Sequence, residues 1–184
     1  MELKKNPKAD LESKKEIFLL IGLILALSRI IPHPPNFTPI IASAIMAPML
    51  IKDRWYGIAI PILAMFISDI IIGFYSYQFV IYSSILAIAL VAPMRKNYVR
   101  LGIMAIGGSV WFFITTNFAE WMVWDYYPKT IEGLITCYTL AIPFFKNTLI
   151  STCLFTGLLT FSIKYLEVVN KKTNHLISNL LARI

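Results

Sequence analysis

The chain is short of what most enzyme and nucleic-acid chemistries need. It has two cysteines, Cys137 and Cys153, in no CxxC or other zinc spacing. Both sit in apolar surroundings, where free cysteine behaves as a small buried hydrophobe; a thiolate contact from Cys137 to a bound metal centre is the minor alternative. No GxSxG, HExxH, Walker A or GxGxxG arrangement occurs. The chain therefore offers no nucleotide site of its own, and any ATP coupling must come from another polypeptide. Nucleic-acid recognition motifs are missing as well, so nucleic acid is not an expected partner. The first fifteen residues are charged and no small-residue cleavage site follows, so no secretory signal is evident. The first hydrophobic run is expected to remain as a membrane anchor.

What the sequence does hold is hydrophobic length. Of 184 residues, 58% are hydrophobic, above the roughly half expected of a soluble domain. Several runs approach the roughly 20 apolar residues that cross about 30 Å of hydrocarbon. The expected fold class is an all-α integral membrane protein. Six spans are expected: about Glu16–Ile31, Thr38–Ile51, Trp55–Gly73, Gln78–Met94, Val99–Asn117 and Asn147–Tyr165. They form one membrane domain, 16–167, between an N-terminal cytoplasmic segment, 1–15, and a tail, 168–184. Ile131–Phe145 is too short for an easy crossing and carries Pro143 near its end. It is expected to be a re-entrant or packed helix over the outer mouth.

The net charge of +7 follows topology rather than an acidic partner. Six spans put Lys4, Lys5, Lys8, Lys14, Lys15, Lys52, Arg54, Arg95, Lys96, Arg100, Lys164, Lys171, Lys172 and Arg183 on one side. Arg29, Lys129 and Lys146 alone fall on the other. Basic residues favour the cytoplasmic side, so both termini are expected there. In the tail, Leu176, Leu180 and Ile184 recur at helical spacing beside Lys171, Lys172 and Arg183. That pattern suits a helix lying on an anionic lipid surface, with partner docking as the rival reading. Small residues four apart, Gly22/Ala26, Ser43/Ala47 and Ala105/Ser109, let helix backbones approach closely, within this chain or against another subunit.

The stretch from Arg29 to Ala42 places a guanidinium, an imidazole, an amide and four prolines between two apolar runs. Proline removes a backbone donor and breaks helices. At membrane depth, irregular backbone persists only against protein or a wet cavity. This segment is therefore expected to form one wall of a binding site. Six-span topology brings other polar groups to the same end: Asp69, one turn inside an apolar run, then Tyr75, Tyr77 and Gln78; then Asn117, Glu120, Trp121, Trp124, Asp125, Tyr126 and Tyr127; then Lys146 and Asn147. The candidate substrate-binding residues are Arg29, His33, Asn36, Phe37, Asp69, Asn117, Glu120, Trp121, Lys146 and Asn147. Apolar walls with a few placed polar groups are the logic of a ligand pocket. Each group also has a plainer use. The tryptophans and tyrosines suit an interfacial belt, Arg29 can snorkel, and Asp69 must find a partner such as Arg29 or Lys146. His33 lacks the companions that a metal site requires.

The order of elements resembles the substrate-binding S subunits of energy-coupling factor vitamin transporters, most nearly an uncharacterised branch of that superfamily. The likeness is carried by Arg29–Pro39, Ser68–Gly73, Thr116–Phe118, Tyr127–Thr130 and Pro143–Thr148. The resemblance implies a six-helix subunit in the bacterial cytoplasmic (inner) membrane. It implies capture of a vitamin-like solute beneath the loops after helices one, three and five, with no ATPase activity of its own; no enzymatic activity and no cofactor are expected. It further implies a membrane coupling subunit carrying ATPases, docked through small residues of helix one. Gly22 and Ala26 take that place here, with glycine where the family usually has alanine. Two other readings are a structural or accessory subunit of a larger membrane complex, and a membrane enzyme built on Asp69, His33 or Glu120, for which no spaced catalytic set exists.

Overall fold

A computed structural model of the chain describes residues 20–181. The N-terminal segment and the start of the first expected span lie outside the described residues. So do the side chains of Leu176, Leu180 and Ile184 in the tail. Six helices and no strand occur among the described residues: α1 Leu20–Ile30, α2 Ile40–Leu50, α3 Arg54–Ile72, α4 Gln78–Val91, α5 Tyr98–Val123 and α6 Ile131–Leu181. Three segments are long and apolar enough to cross a membrane by length and composition: α3, α5 and the Ile131–Tyr165 part of α6. Helices α1, α2 and α4 are shorter apolar helices.

The interior is built around α2. Its run of Ile, Ala, Ser and Met is apolar on every face, and such a helix belongs inside a bundle. Ile40 to Pro48 are all buried, and α2 packs on α3, α4, α5 and α6. With 11 residues it rises only about 16 Å, but a helix enclosed by protein need not match the bilayer. The core continues through Ile60, Ala64, Ile85, Ile88, Leu101 and Ala105. Large apolar side chains cover the outside instead, among them Trp55, Phe79, Ile103, Ile131 and Phe161. So much exposed apolar surface marks contact with lipid or another chain.

Local signals explain the helix starts. Asp53 caps α3 by accepting from the Trp55 N–H at 2.9 Å. Asn97 does the same for α5, accepting from Arg100 N at 3.0 Å. Gly57 lets the first turn of α3 meet the end of α2. A Cβ there would stand 2.5 Å from the Ala47 carbonyl oxygen and 2.7 Å from Pro48 Cα. Gly57→Ala is expected to cost about 1–3 kcal/mol and lower the melting midpoint in detergent. Gly107→Ala, whose Cβ would meet nothing within 4 Å, is the matched control and should leave the midpoint unchanged.

Two expectations need correction. The separate helix at Ile131–Phe145 is the first part of α6, a single helix of 51 residues. Pro143 lies inside it. Proline frees a carbonyl one turn back, yet this does not break a helix packed along α5 and α2. The third polar connection also begins later than expected. Asn117, Glu120 and Trp121 are helical, because α5 runs for 26 residues to Val123.

Candidate functional site

The proline segment forms a wall because local geometry and α6 hold it in place. The Phe37 N–H donates to the Pro34 carbonyl at 3.0 Å, closing a turn with Pro35 and Asn36 in the middle. Asn36 takes φ 61°, a left-handed conformation that asparagine tolerates better than most residues. Pro35 before a positive-φ residue is the pattern of a type II turn. Asn147 on α6 donates from Nδ2 to the Pro35 carbonyl at 3.0 Å. Phe37 packs edge-on against Phe155 of the same helix, with centroids 6.0 Å apart. Asn147 and Phe37 therefore secure the segment from outside the cavity rather than lining it. His33 donates from Nδ1 to the Ile31 carbonyl at 2.6 Å, since a carbonyl only accepts.

Asp69 is the hub of the opposite wall and is 0% exposed. Oδ1 accepts from Arg29 Nη1 at 2.6 Å. Arg29 also donates to the Met65 carbonyl at 3.1 Å and to Ser68 Oγ. The other carboxylate oxygen accepts from Gln78 Nε2 and, at 2.9 Å, from Tyr82 OH. Asp69 is thus fully committed to internal partners. It ties the end of α1 to α3 and α4 and neutralises Arg29, the structural of the two roles open to it in the sequence.

The third wall comes from the end of α5 and the start of α6. Cys137 is buried and its thiol donates to the Asn117 carbonyl at 3.5 Å. Tyr138 OH donates to the Ile114 carbonyl at 2.6 Å. Phe113 stacks at 4.7 Å on Phe145. Asn117 donates from Nδ2 to the Phe113 carbonyl at 2.8 Å, which leaves its Oδ1 as an acceptor. Burial, then the neighbouring Glu120 carboxylate, raise the Tyr77 pKa well above the ordinary tyrosine value. Tyr127 is also shifted up, by burial first and then by the charges of Cys137 and Glu120.

These walls enclose a cavity of about 610 Å³. Small-molecule pockets commonly measure about 300–1,000 Å³. Of the expected site residues, Arg29, His33, Asn36, Asn117 and Glu120 line it. Asp69 stands behind Arg29. Trp121 does not line it: Nε1 donates to the Pro128 carbonyl at 2.9 Å. Lys129 reaches the Trp121 and Trp124 carbonyls and lies 5.8 Å from the Trp121 ring centroid. That set clasps the α5–α6 turn. Lys146 is exposed and also does not line the cavity. The α6 side chains that do are Cys137, Leu140, Ala141, Phe144, Phe145, Thr148 and Thr152. They form one helical stripe that passes 146 by. Helical spacing continued through Pro143 would have shown this stripe, Thr152 included, in the sequence. Gly22 and Ala26 are buried within the chain, and Ala26, 1% exposed, joins the core, the intramolecular of their two possible contacts. Among the described residues no group of three His, Cys, Asp or Glu side chains is arranged to hold a metal ion.

Comparison with known proteins matches residues 10–175 to the model of a family described as "Family of unknown function (DUF6580)". No curated protein and no solved structure matches the chain.

Proposed function

We propose a function from one premise: the chain belongs to the DUF6580 family, matched over nearly its whole length. The protein is a membrane-embedded subunit that captures a vitamin-like small molecule for uptake. It crosses a bacterial cytoplasmic membrane six times with both termini inside, like the S subunits that its sequence resembles. ATP hydrolysis resides on other chains, reached through a coupling subunit.

One observation carries this reading. The polar residues of the Arg29–Pro39 segment and of the α5 end, far apart in sequence, meet around a cavity of about 610 Å³ with aromatic and aliphatic walls. The one-sided distribution of lysine and arginine supports the six-crossing orientation. Short connections between consecutive helices support an up-and-down bundle. Full enclosure of α2 removes the objection that it is too short to face lipid on its own.

Native mass spectrometry of gently purified protein tests the reading directly. A small metabolite is expected to leave the protein on activation. Asn117→Ala, which removes a cavity acceptor, should weaken its retention about tenfold, the scale of one hydrogen bond at about 1 kcal/mol. Constant stoichiometric protein partners with no small molecule would support an accessory subunit instead.

A further inference from the structure

The charge balance of the cavity narrows the class of solute, and this inference rests on the capture reading above. Two ionised side chains line the space, Arg29 and Glu120. Arg29 is already neutralised by buried Asp69 at 2.6 Å. Glu120 has no ion-pair partner among the described residues; its polar neighbour is the Tyr77 hydroxyl. The lining therefore holds one carboxylate, Glu120, that no lining cation pairs. A carboxylate facing an apolar cavity is costly unless a cation or strong donors meet it.

The neutral groups lean the same way. Asn117 commits one of its two amide N–H groups to Phe113 and keeps Oδ1 as an acceptor. His33 spends Nδ1–H on Ile31, so in the neutral ring Nε2 presents a lone pair. Tyr77 and Tyr127 line the cavity together with Glu120. A planar cation gains from such faces as well as from the carboxylate.

The far end of the cavity adds one polar group to its lining. Thr152 is 0% exposed, lines the cavity, and its Oγ1 has no hydrogen-bond partner. Thr136, Thr139 and Thr148 turn back to the carbonyl one turn earlier, whereas Thr152 and Thr156 do not. By helical rise Thr152 lies about 22 Å along α6 from Cys137 at the Glu120 end. Thr152 and Glu120 therefore stand at two ends of one elongated space.

We propose that the cavity selects a planar, cationic nitrogen compound, an amidinium or amino-heteroaromatic solute. Its positive N–H edge lies on Glu120 and Asn117, and its ring lies between the Tyr77 and Tyr127 side chains.

The test uses three bicyclic probes of one shape and different charge: 2-naphthamidine (cation), 2-naphthamide (neutral) and 2-naphthoate (anion). Each is titrated calorimetrically into the full chain in nanodiscs after co-purified solute has been stripped. The amidine is expected to bind at least about tenfold tighter than the amide, with the acid weakest, as a charge-assisted hydrogen bond exceeds a neutral one. Glu120→Gln should erase the amidine's advantage and leave the amide within about twofold. Tyr77→Phe, which keeps the ring and removes the hydroxyl beside Glu120, should preserve the preference for the cation. Equal or tighter binding of the acid, or an unchanged preference in Glu120→Gln, overturns the proposal while leaving solute capture intact. Binding of none of the three also overturns it. In that case the mass-spectrometric search for a retained metabolite decides the capture reading separately.

Discussion

Arg29→Ala is expected to destabilise the protein by about 3–5 kcal/mol, the range for breaking a buried ion pair by removing one partner. The reason lies on the Asp69 side. Asp69 is 0% exposed, and Gln78 and Tyr82 satisfy only the oxygen that Arg29 does not hold. Without the guanidinium, a carboxylate remains among apolar side chains with one oxygen unmet. For a chain of this size the loss corresponds to a fall of about 6–20 °C in melting midpoint. The double variant Arg29→Met with Asp69→Asn should recover much of the loss, because no buried charge is left unpaired. A midpoint within about 2 °C of the native chain in Arg29→Ala would refute the hub assignment. Arg29 is therefore a poor probe of ligand contact: weaker solute retention in this variant would report a loosened fold as readily as a missing ligand bond.

Ala141→Trp should act on the site and spare the fold. Ala141 is 7% exposed and lines the cavity on the same α6 stripe as Cys137 and Thr148. An indole there extends into open volume rather than into the packed core, so the melting midpoint is expected to stay level or rise. Solute retention should fall at least about a hundredfold, since even a one-methylene mismatch in a close-fitting pocket costs roughly 1–3 kcal/mol. Undiminished retention in this variant would place the solute elsewhere and remove the cavity from the functional argument.

Much of the site is legible in the residues themselves. Arg29, His33, Asn36, Asn117 and Glu120 stand out because polar groups next to long apolar runs are expensive and need a purpose. Asp69 stands out for the same reason, and the sequence leaves open its pairing with Arg29. Two of the failures share one cause. Separating Ile131–Phe145 from the apolar run after it placed Lys146 at a helix start facing the mouth, and hid the stripe that ends at Thr152. Proline is an ambiguous stop in an apolar helix, since neighbouring helices can meet the carbonyl it frees. Trp121 misled because an indole N–H serves a turn as well as a ligand, and only the Pro128 carbonyl beside it shows which.

The amino-acid sequence alone determined that this is an apolar, all-helical chain, that its basic residues gather on one side of the expected crossings, and that its polar outliers sit at the ends of the runs. Those are properties of local composition and spacing. Tertiary structure decided which polar groups cancel one another and which remain open. Arg29 and Asp69 are 40 residues apart, and their mutual neutralisation, which leaves Glu120 alone with Tyr77, depends on how α1, α3 and α5 come together rather than on any single segment.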